Sequence, residues 1–212
     1  YKIICAHSDS PGFRIKPNAE MLCSGNTLKL NTEVYGGPIL YTWFDRPLSI
    51  AGRVILRSDN PLQPTTRLVN LQRPLMTIPH LAIHYNRSVN DGNPLSRQRD
   101  MLPVTALLSE PGAAENFIIN LVATELGVDT SEILDFDLNL FDTTPPCLFG
   151  IDNEFISASR IDDLEMAHCA VTALISSTAD PATDTSMTRV VAAFYNEETG
   201  SGYEGGHVPG TV

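Results

Sequence analysis

Three short groups of residues able to bind a metal or carry a proton lie far apart in the chain: His7 with Asp9, Asp162 with Asp163, and Glu197 with Glu198. Histidine nitrogens and carboxylate oxygens are zinc ligands, and a free carboxylate beside such a site can handle the protons of an activated water. Together the three groups are the ligand types of a hydrolase that works with two zinc ions. In a His-x-Asp pair the ring can give one nitrogen to zinc while the carboxylate accepts the N–H of the other, which sets tautomer and orientation. Neighbouring glutamates cannot both point at one spot, so the division that makes chemical sense is one ligand and one general base. An aspartate at the mouth of a helix is either a cap for exposed N–H groups or a carboxylate bridging two metal ions. Each group alone has an ordinary reading: a loop histidine, a solvated glutamate pair, a helix cap. Position is what singles them out.

The elements that must present these residues can be read from the apolar pattern. Lys2–Ala6 and Val190–Phe194 are nearly continuous apolar runs, as expected of strands covered on both faces of a parallel sheet. His7 and Asp9 follow the first run and Glu197 and Glu198 the second, at the strand ends where open α/β sheets bind ligands. Between them the character changes. Thr27–Val34 alternates, with Leu28, Leu30 and Val34 on one face. Ile50–Arg57, Arg67–Leu71 and Leu134–Leu140 are further strand candidates, and Gly36-Gly37-Pro38 punctuates the first part of this region. A helix is predicted from about Ala113 to Leu126, with Phe117, Ile118, Leu121, Val122 and Leu126 as its apolar stripe and Gly127 as its stop. A second helix starts near Ile161, runs through Leu164, Ala167, Val171 and Leu174, and ends before Pro181. The fold class expected is α/β: a mixed-sheet catalytic domain (1–16 and 153–212) interrupted by a β-rich inserted domain (17–152). No internal repeat or low-complexity tract is evident.

Composition narrows the function classes. With 212 residues and 42% apolar content the chain can build a real core. Its net charge of −11 argues against nucleic-acid partners. The charge is uneven: residues 40–100 hold eight arginines and four aspartates, so that window is +4 and the remainder −15. It offers a local basic face for an acidic substrate or a second protomer, unless the arginines are only scattered over solvated strands. Cys5, Cys23, Cys147 and Cys169 show no Cys-x-x-Cys spacing, which suggests reduced thiols. No apolar run is long enough to span a membrane and no signal peptide is visible, so a cytoplasmic location is expected. The chain starts at Tyr1 directly in a strand, which reads as a piece of something longer.

Five stretches together resemble the aspartyl aminopeptidase family of two-zinc exopeptidases: AHSDSPGFRIKP (6–17), YGGPILYTWFDRPLSIAGRV (35–54), IPHLAIHYNR (78–87), EFISASRIDDL (154–164) and VVAAFYNEETGSG (190–202). The resemblance covers nearly the whole chain, with several long strings in order. It implies two zinc ions per protomer, with His7, Asp162 and Glu198 as metal ligands and Asp162 bridging. It casts Asp9 as the residue orienting His7, Glu197 as general base, and His84 as a residue reaching a neighbouring protomer's active site. It assigns no such role to His80 or His168. It further implies a peptide substrate with an acidic N-terminal residue, an insertion that dimerises, and dimers that assemble into a dodecameric shell. Two features depart from the family pattern. Tyr195 stands where the family has aspartate, and the last two family ligands, an aspartate and a histidine, would lie downstream of Val212; His207 sits in a Gly/Pro-rich tail. The chain would then be inactive as it stands. The alternatives are a catalytically dead, truncated subunit retained for assembly, or a related metal-dependent amidohydrolase acting on acylated amino acids.

Overall fold

The computed structural model describes residues 1–179 and 186–200. Along them run β1 (Lys2–His7), β2 (Gly12–Cys23), β3 (Thr27–Tyr35), β4 (Leu48–Leu56), β5 (Thr65–Asn70), β6 (Val104–Leu107), α1 (Phe117–Leu126), β7 (Ile133–Asp142), β8 (Cys147–Phe149), β9 (Phe155–Ser157), α2 (Ile161–Ala179) and β10 (Arg189–Phe194). They form two compact units. The first holds Tyr1–Pro11, Tyr35–Gly37 and the described residues from Pro145 on; the second holds Gly12–Val34 and Pro38–Thr144. The division differs from the expected boundaries: the second unit begins at Gly12 and ends at Thr144, where 17 and 152 were expected, and Tyr35–Gly37, inside the expected insertion, belong to the first unit. β2 runs straight across the expected junction at 16 and 17. That strand was hidden in the sequence because Pro17, which cannot donate to a ladder, interrupts a run with no sustained alternation.

In the first unit β1 and β10 pair in parallel, with Ala6 opposite Ala193 and His7 opposite Phe194. Parallel pairing puts both carboxyl ends on one edge, and the Ser8 N–H donates to the Phe194 carbonyl at 2.9 Å to continue the pairing there. α2 packs against both strands. Its less exposed row is Asp163, Ala167, Ala170, Leu174 and Ser177, at helical spacing. The predicted stripe is only partly the inward one, since Leu164 and Val171 are 44% and 45% exposed. The expectation of strands covered on both faces is likewise not met: Ile3 and Ile4 are 52% and 47% exposed. Among the described residues this sheet is only two strands wide with a single helix against it, too little to cover both faces. β8 and β9 form a separate antiparallel pair on which Phe149 and Phe155 stack, with centroids 5.3 Å apart.

The second unit is built on a six-stranded sheet in the order β5-β4-β7-β2-β3-β6. β4 lies antiparallel between β5 and β7, and α1 adds apolar residues to the same core. The predicted alternation holds where it matters, because Leu28, Leu30, Ile50, Val54 and Leu138 are fully buried. α1 begins at Phe117, later than the expected Ala113. Pro111–Ala114 close a 3-10 turn, Glu115 is extended and Asn116 is left-handed at φ 53°, so regular helix cannot run back through them. Gly127, at φ 65°, ends α1 as expected, its N–H reaching the carbonyls of Ala123 and Thr124. Of the eight arginines in the 40–100 window all are exposed, and Arg46 and Arg53 pair with Asp142 and Asp137 at 2.7 and 3.1 Å. No helix among the described residues is long and apolar enough to cross a membrane.

Candidate metal centre

The site lies wholly in the first unit, at the edge where β1 and β10 both end. His7 closes β1; its main-chain N–H donates to Asp163 Oδ2 at 3.0 Å, which ties the strand end to the start of α2. Asp162 and Asp163 lie within α2's span but do not have helical dihedrals, and the peptide bond joining them is cis. The His7 ring is 14% exposed. Its Nε2 lies 3.2 Å from Asp162 Oδ1, 3.9 Å from Asp163 Oδ2 and 3.9 Å from Glu197 Oε2. Ser10 Oγ reaches the Asp162 carbonyl at 3.5 Å. After β10 the chain turns through Asn196, left-handed at φ 74°, into the short 3-10 turn Glu197–Thr199. Asparagine tolerates that region better than most residues.

The other ring nitrogen of His7 is placed differently from the sequence expectation. Nδ1 lies 3.1 Å from the main-chain oxygen of Asp9 and 3.6 Å from its carboxylate, so the ring is oriented chiefly by a carbonyl. The Asp9 carboxylate, 5% exposed, turns to other donors. Its Oδ1 accepts the Glu197 N–H at 3.2 Å, and its Oδ2 accepts the Glu198 N–H at 3.2 Å and the Tyr35 hydroxyl at 2.6 Å. The Tyr35 hydroxyl also lies 3.0 Å from Asn196 Oδ1. Asp9 therefore caps the glutamate turn with both oxygens, satisfying N–H groups that would otherwise lack acceptors.

Crowding of negative charge governs the electrostatics. Burial pulls the His7 imidazole down, but the Asp9 carbonyl and the charges of Glu197, Asp163 and Asp9 outweigh it and hold the pKa above 6.5. Burial and the neighbouring Glu197 raise the Glu198 carboxyl; Asp9 and Asp162 add to this and His7 opposes it. Burial and the bond to Asp9 push the Tyr35 hydroxyl far above its ordinary range, so it stays a proton donor. Such a cluster suits a cation, which would replace the proton on His7 and relieve repulsion among the acids. One donor atom each from His7, Glu197 and Glu198 lie within 4.8 Å of one another. One imidazole nitrogen with several carboxylate oxygens fits zinc.

Of the residues singled out in the sequence, His7, Asp9, Asp162, Glu197 and Glu198 come together here. The compact trio holds both neighbouring glutamates, contrary to the expectation that they could not face one position, because the short 3-10 turn brings an oxygen of each beside His7. It includes Glu197, which the resemblance casts as base, while Asp162 stands nearest to His7 Nε2 with its side chain 89% exposed. His84 is exposed in the second unit and is not a member of this cluster. His80 packs beside Phe44, with centroids 4.5 Å apart, and His168 is exposed on α2. Tyr195 is 49% exposed. His207 lies outside the described residues. Asp163, singled out in the sequence only as the neighbour of Asp162, also joins the cluster. Sequence reading missed Tyr35, Gly36 and Asn196. Tyr35-Gly36-Gly37 was legible only as a turn, and nothing in its spacing tied it to the distant acids.

A histidine and several carboxylates gathered at the carboxyl edge of a parallel strand pair form the kind of site used by metal-dependent hydrolases. The family model described as aminopeptidase I zinc metalloprotease (M18) matches residues 1–208, and the chain belongs to this family. It is 51% identical over 201 residues to the "Probable M18 family aminopeptidase 2" of Clostridium acetobutylicum, which covers 95% of this chain and 45% of that protein. It is 34% identical to the "Probable aspartyl aminopeptidase" of Ricinus communis, covering 95% of this chain and 48% of that one. The chain thus spans about half the length of the curated relatives it matches. Among solved structures it is similar to the Ape4 and Nbr1 complex, with a TM-score of 0.85, 36% identity, and coverage of 94% of this chain and 41% of that one. It is also similar to the S. cerevisiae mApe1 dodecamer, with a TM-score of 0.73, 25% identity, and coverage of 93% and 44%.

Proposed function

We propose that this chain carries part of the active site of a cytoplasmic zinc aminopeptidase that removes N-terminal residues, preferentially acidic ones, from peptides. The observation that carries the reading is the convergence of His7, Asp162, Glu197 and Glu198 at one strand edge, with three donors inside 4.8 Å. His7, Asp162 and Glu198 would hold the metal, and Asp9 keeps the glutamate turn in place. When bound, zinc supplies an acidified water and polarises the scissile carbonyl. Glu197 accepts a proton from the attacking water and returns it to the departing nitrogen, so that one water is consumed and the C–N bond is replaced by a C–O bond. An acidic preference is supported by the name of the Ricinus communis relative. Self-association is supported by the similarity to the S. cerevisiae mApe1 dodecamer; assembly through the second unit, with His84 offered to a neighbour's site, is what the family resemblance implies.

The test is Glu197→Gln in the complete gene product. Removing one proton-transfer group while sparing His7, Asp162 and Glu198 should leave zinc content unchanged and lower kcat by about 10²- to 10⁴-fold. A zinc-loaded variant that kept a tenth or more of the turnover would refute the base assignment. Absence of zinc from the unsubstituted protein would refute the reading as a whole.

A further inference from the structure

We infer that Tyr35 is a positioning residue of the metal centre: its hydroxyl holds the Asp9 carboxylate, and Asp9 in turn holds the main chain of Glu197 and Glu198. The inference rests on the metal-site reading above and adds to it a residue outside the ligand set.

A carboxylate buried as deeply as Asp9 needs donors for its lone pairs. It has three besides its contact with His7: two main-chain N–H groups at 3.2 Å and the Tyr35 hydroxyl at 2.6 Å. The tyrosine bond is the shortest of them, as expected of a charge-assisted O–H donor. Without it, Oδ2 keeps only the Glu198 N–H, and the carboxylate is free to rotate toward His7 Nδ1, 3.6 Å from Oδ1. That rotation would release the amides whose acidic side chains face the metal position. The same hydroxyl lies 3.0 Å from Asn196 Oδ1, so it touches both the cap of the turn and the left-handed residue that begins it. The next residue closes the other side. A Cβ on Gly36 would lie 3.0 Å from Glu198 Cβ, so the backbone there fits directly against the ligand. Tyr35 keeps its proton across the working pH range, since burial and Asp9 both oppose its ionisation.

Tyr35→Phe removes one oxygen and leaves the ring. In the complete gene product, zinc affinity should fall about 10- to 100-fold, the usual effect of losing a group that supports a ligand. The readouts are competition with a chromophoric chelator, kcat and KM, metal-free melting, and amide hydrogen exchange at Glu197 and Glu198. We expect weaker zinc binding, lower kcat with KM nearly constant, an almost unchanged metal-free melt, and faster exchange at those two amides. In an Asp9→Asn background the same change should add little, because both act through one contact. Normal zinc affinity in the variant, with zinc bound normally by the unsubstituted protein, overturns the inference alone. So does a loss of affinity that merely tracks a lowered melting temperature. Failure of the unsubstituted protein to bind zinc overturns the metal-site reading and this role with it. Should the variant not fold, the unsubstituted protein still decides: the Glu197 and Glu198 amides should exchange at least about tenfold slower than in a free peptide. Free-peptide rates there would overturn the proposal.

Discussion

Gly36→Ala tests how tightly the backbone is fitted around Glu198. Gly36 has φ +66°, and an added Cβ would lie 3.0 Å from Glu198 Cβ, 3.1 Å from Glu198 Oε2 and 3.3 Å from the Glu198 carbonyl oxygen. Two costs follow. Left-handed backbone costs an alanine about 1–2 kcal/mol. The contacts are a few tenths of an ångström too close, and two of the three atoms belong to the backbone or its first carbon, which cannot swing aside as a side-chain tip can. Glu198 must therefore move. Gly25 provides a matched control: φ is +69° and nothing lies within 4 Å of its Cβ position. Gly25→Ala should lose the same 1–2 kcal/mol or so of stability and no zinc affinity. Gly36→Ala should lose at least as much stability and also about tenfold in zinc affinity, roughly 1.4 kcal/mol. Urea denaturation of both metal-free variants and chelator competition for zinc give the comparison. Equal zinc affinities for the two variants would refute the claim that Gly36 is required by Glu198 rather than by the turn alone.

The shifted pKa values give two further predictions. Because folding raises the His7 pKa above 6.5, its protonated form stabilises the metal-free protein fully below 6.5, and this is lost as pH rises through the raised folded value. Denaturation of the metal-free protein across that window should show stability falling with pH, and His7→Gln should flatten the slope; an unchanged slope would count against the crowding of charge described above. Asp142 behaves in the opposite sense. Burial raises its pKa, but the Thr144 hydroxyl and N–H and the Arg46 guanidinium outweigh burial and lower it, so its contribution is present above 3.8 and lost as pH falls through the folded value. Asp142→Asn should therefore weaken the second unit at neutral pH and reduce its acid sensitivity, measured by denaturation at both pH values; equal acid sensitivity would refute it.

Much of the architecture was legible because burial imposes a period on sequence. Leu28 and Leu30 alternate with polar residues and are fully buried in β3, and Ile118, Val122 and Leu126 follow the helical period and are buried in α1. Where the rule failed, burial was not what decided the conformation. Asn116 breaks α1 from its predicted start by adopting a left-handed conformation that no apolar pattern encodes. β2 carries Pro17 inside a strand, contrary to the local preference of that residue. The apolar runs of β1 and β10 signal strands correctly but overstate their cover, because a run of this kind reports what a sheet is built to bury and not which neighbours are present.

The acids of the site were visible for a different reason: zinc accepts few ligand types, and their positions after apolar strands were informative. Their supports were not visible, because a supporting group needs only to offer a hydrogen bond of the right length, and many residue types do. Asp9 illustrates the limit. A His-x-Asp spacing suggests a carboxylate that orients the ring, yet the main-chain carbonyl of Asp9 lies nearer to Nδ1 and the carboxylate faces the amides of Glu197 and Glu198, 188 and 189 positions away. Two residues between strand end and carboxylate are enough for either arrangement. What selects the observed one is the set of donors, and the strongest of these is Tyr35, which enters the same unit from the end of β3. The chain must therefore pass through this unit three times before the glutamate turn is fully held.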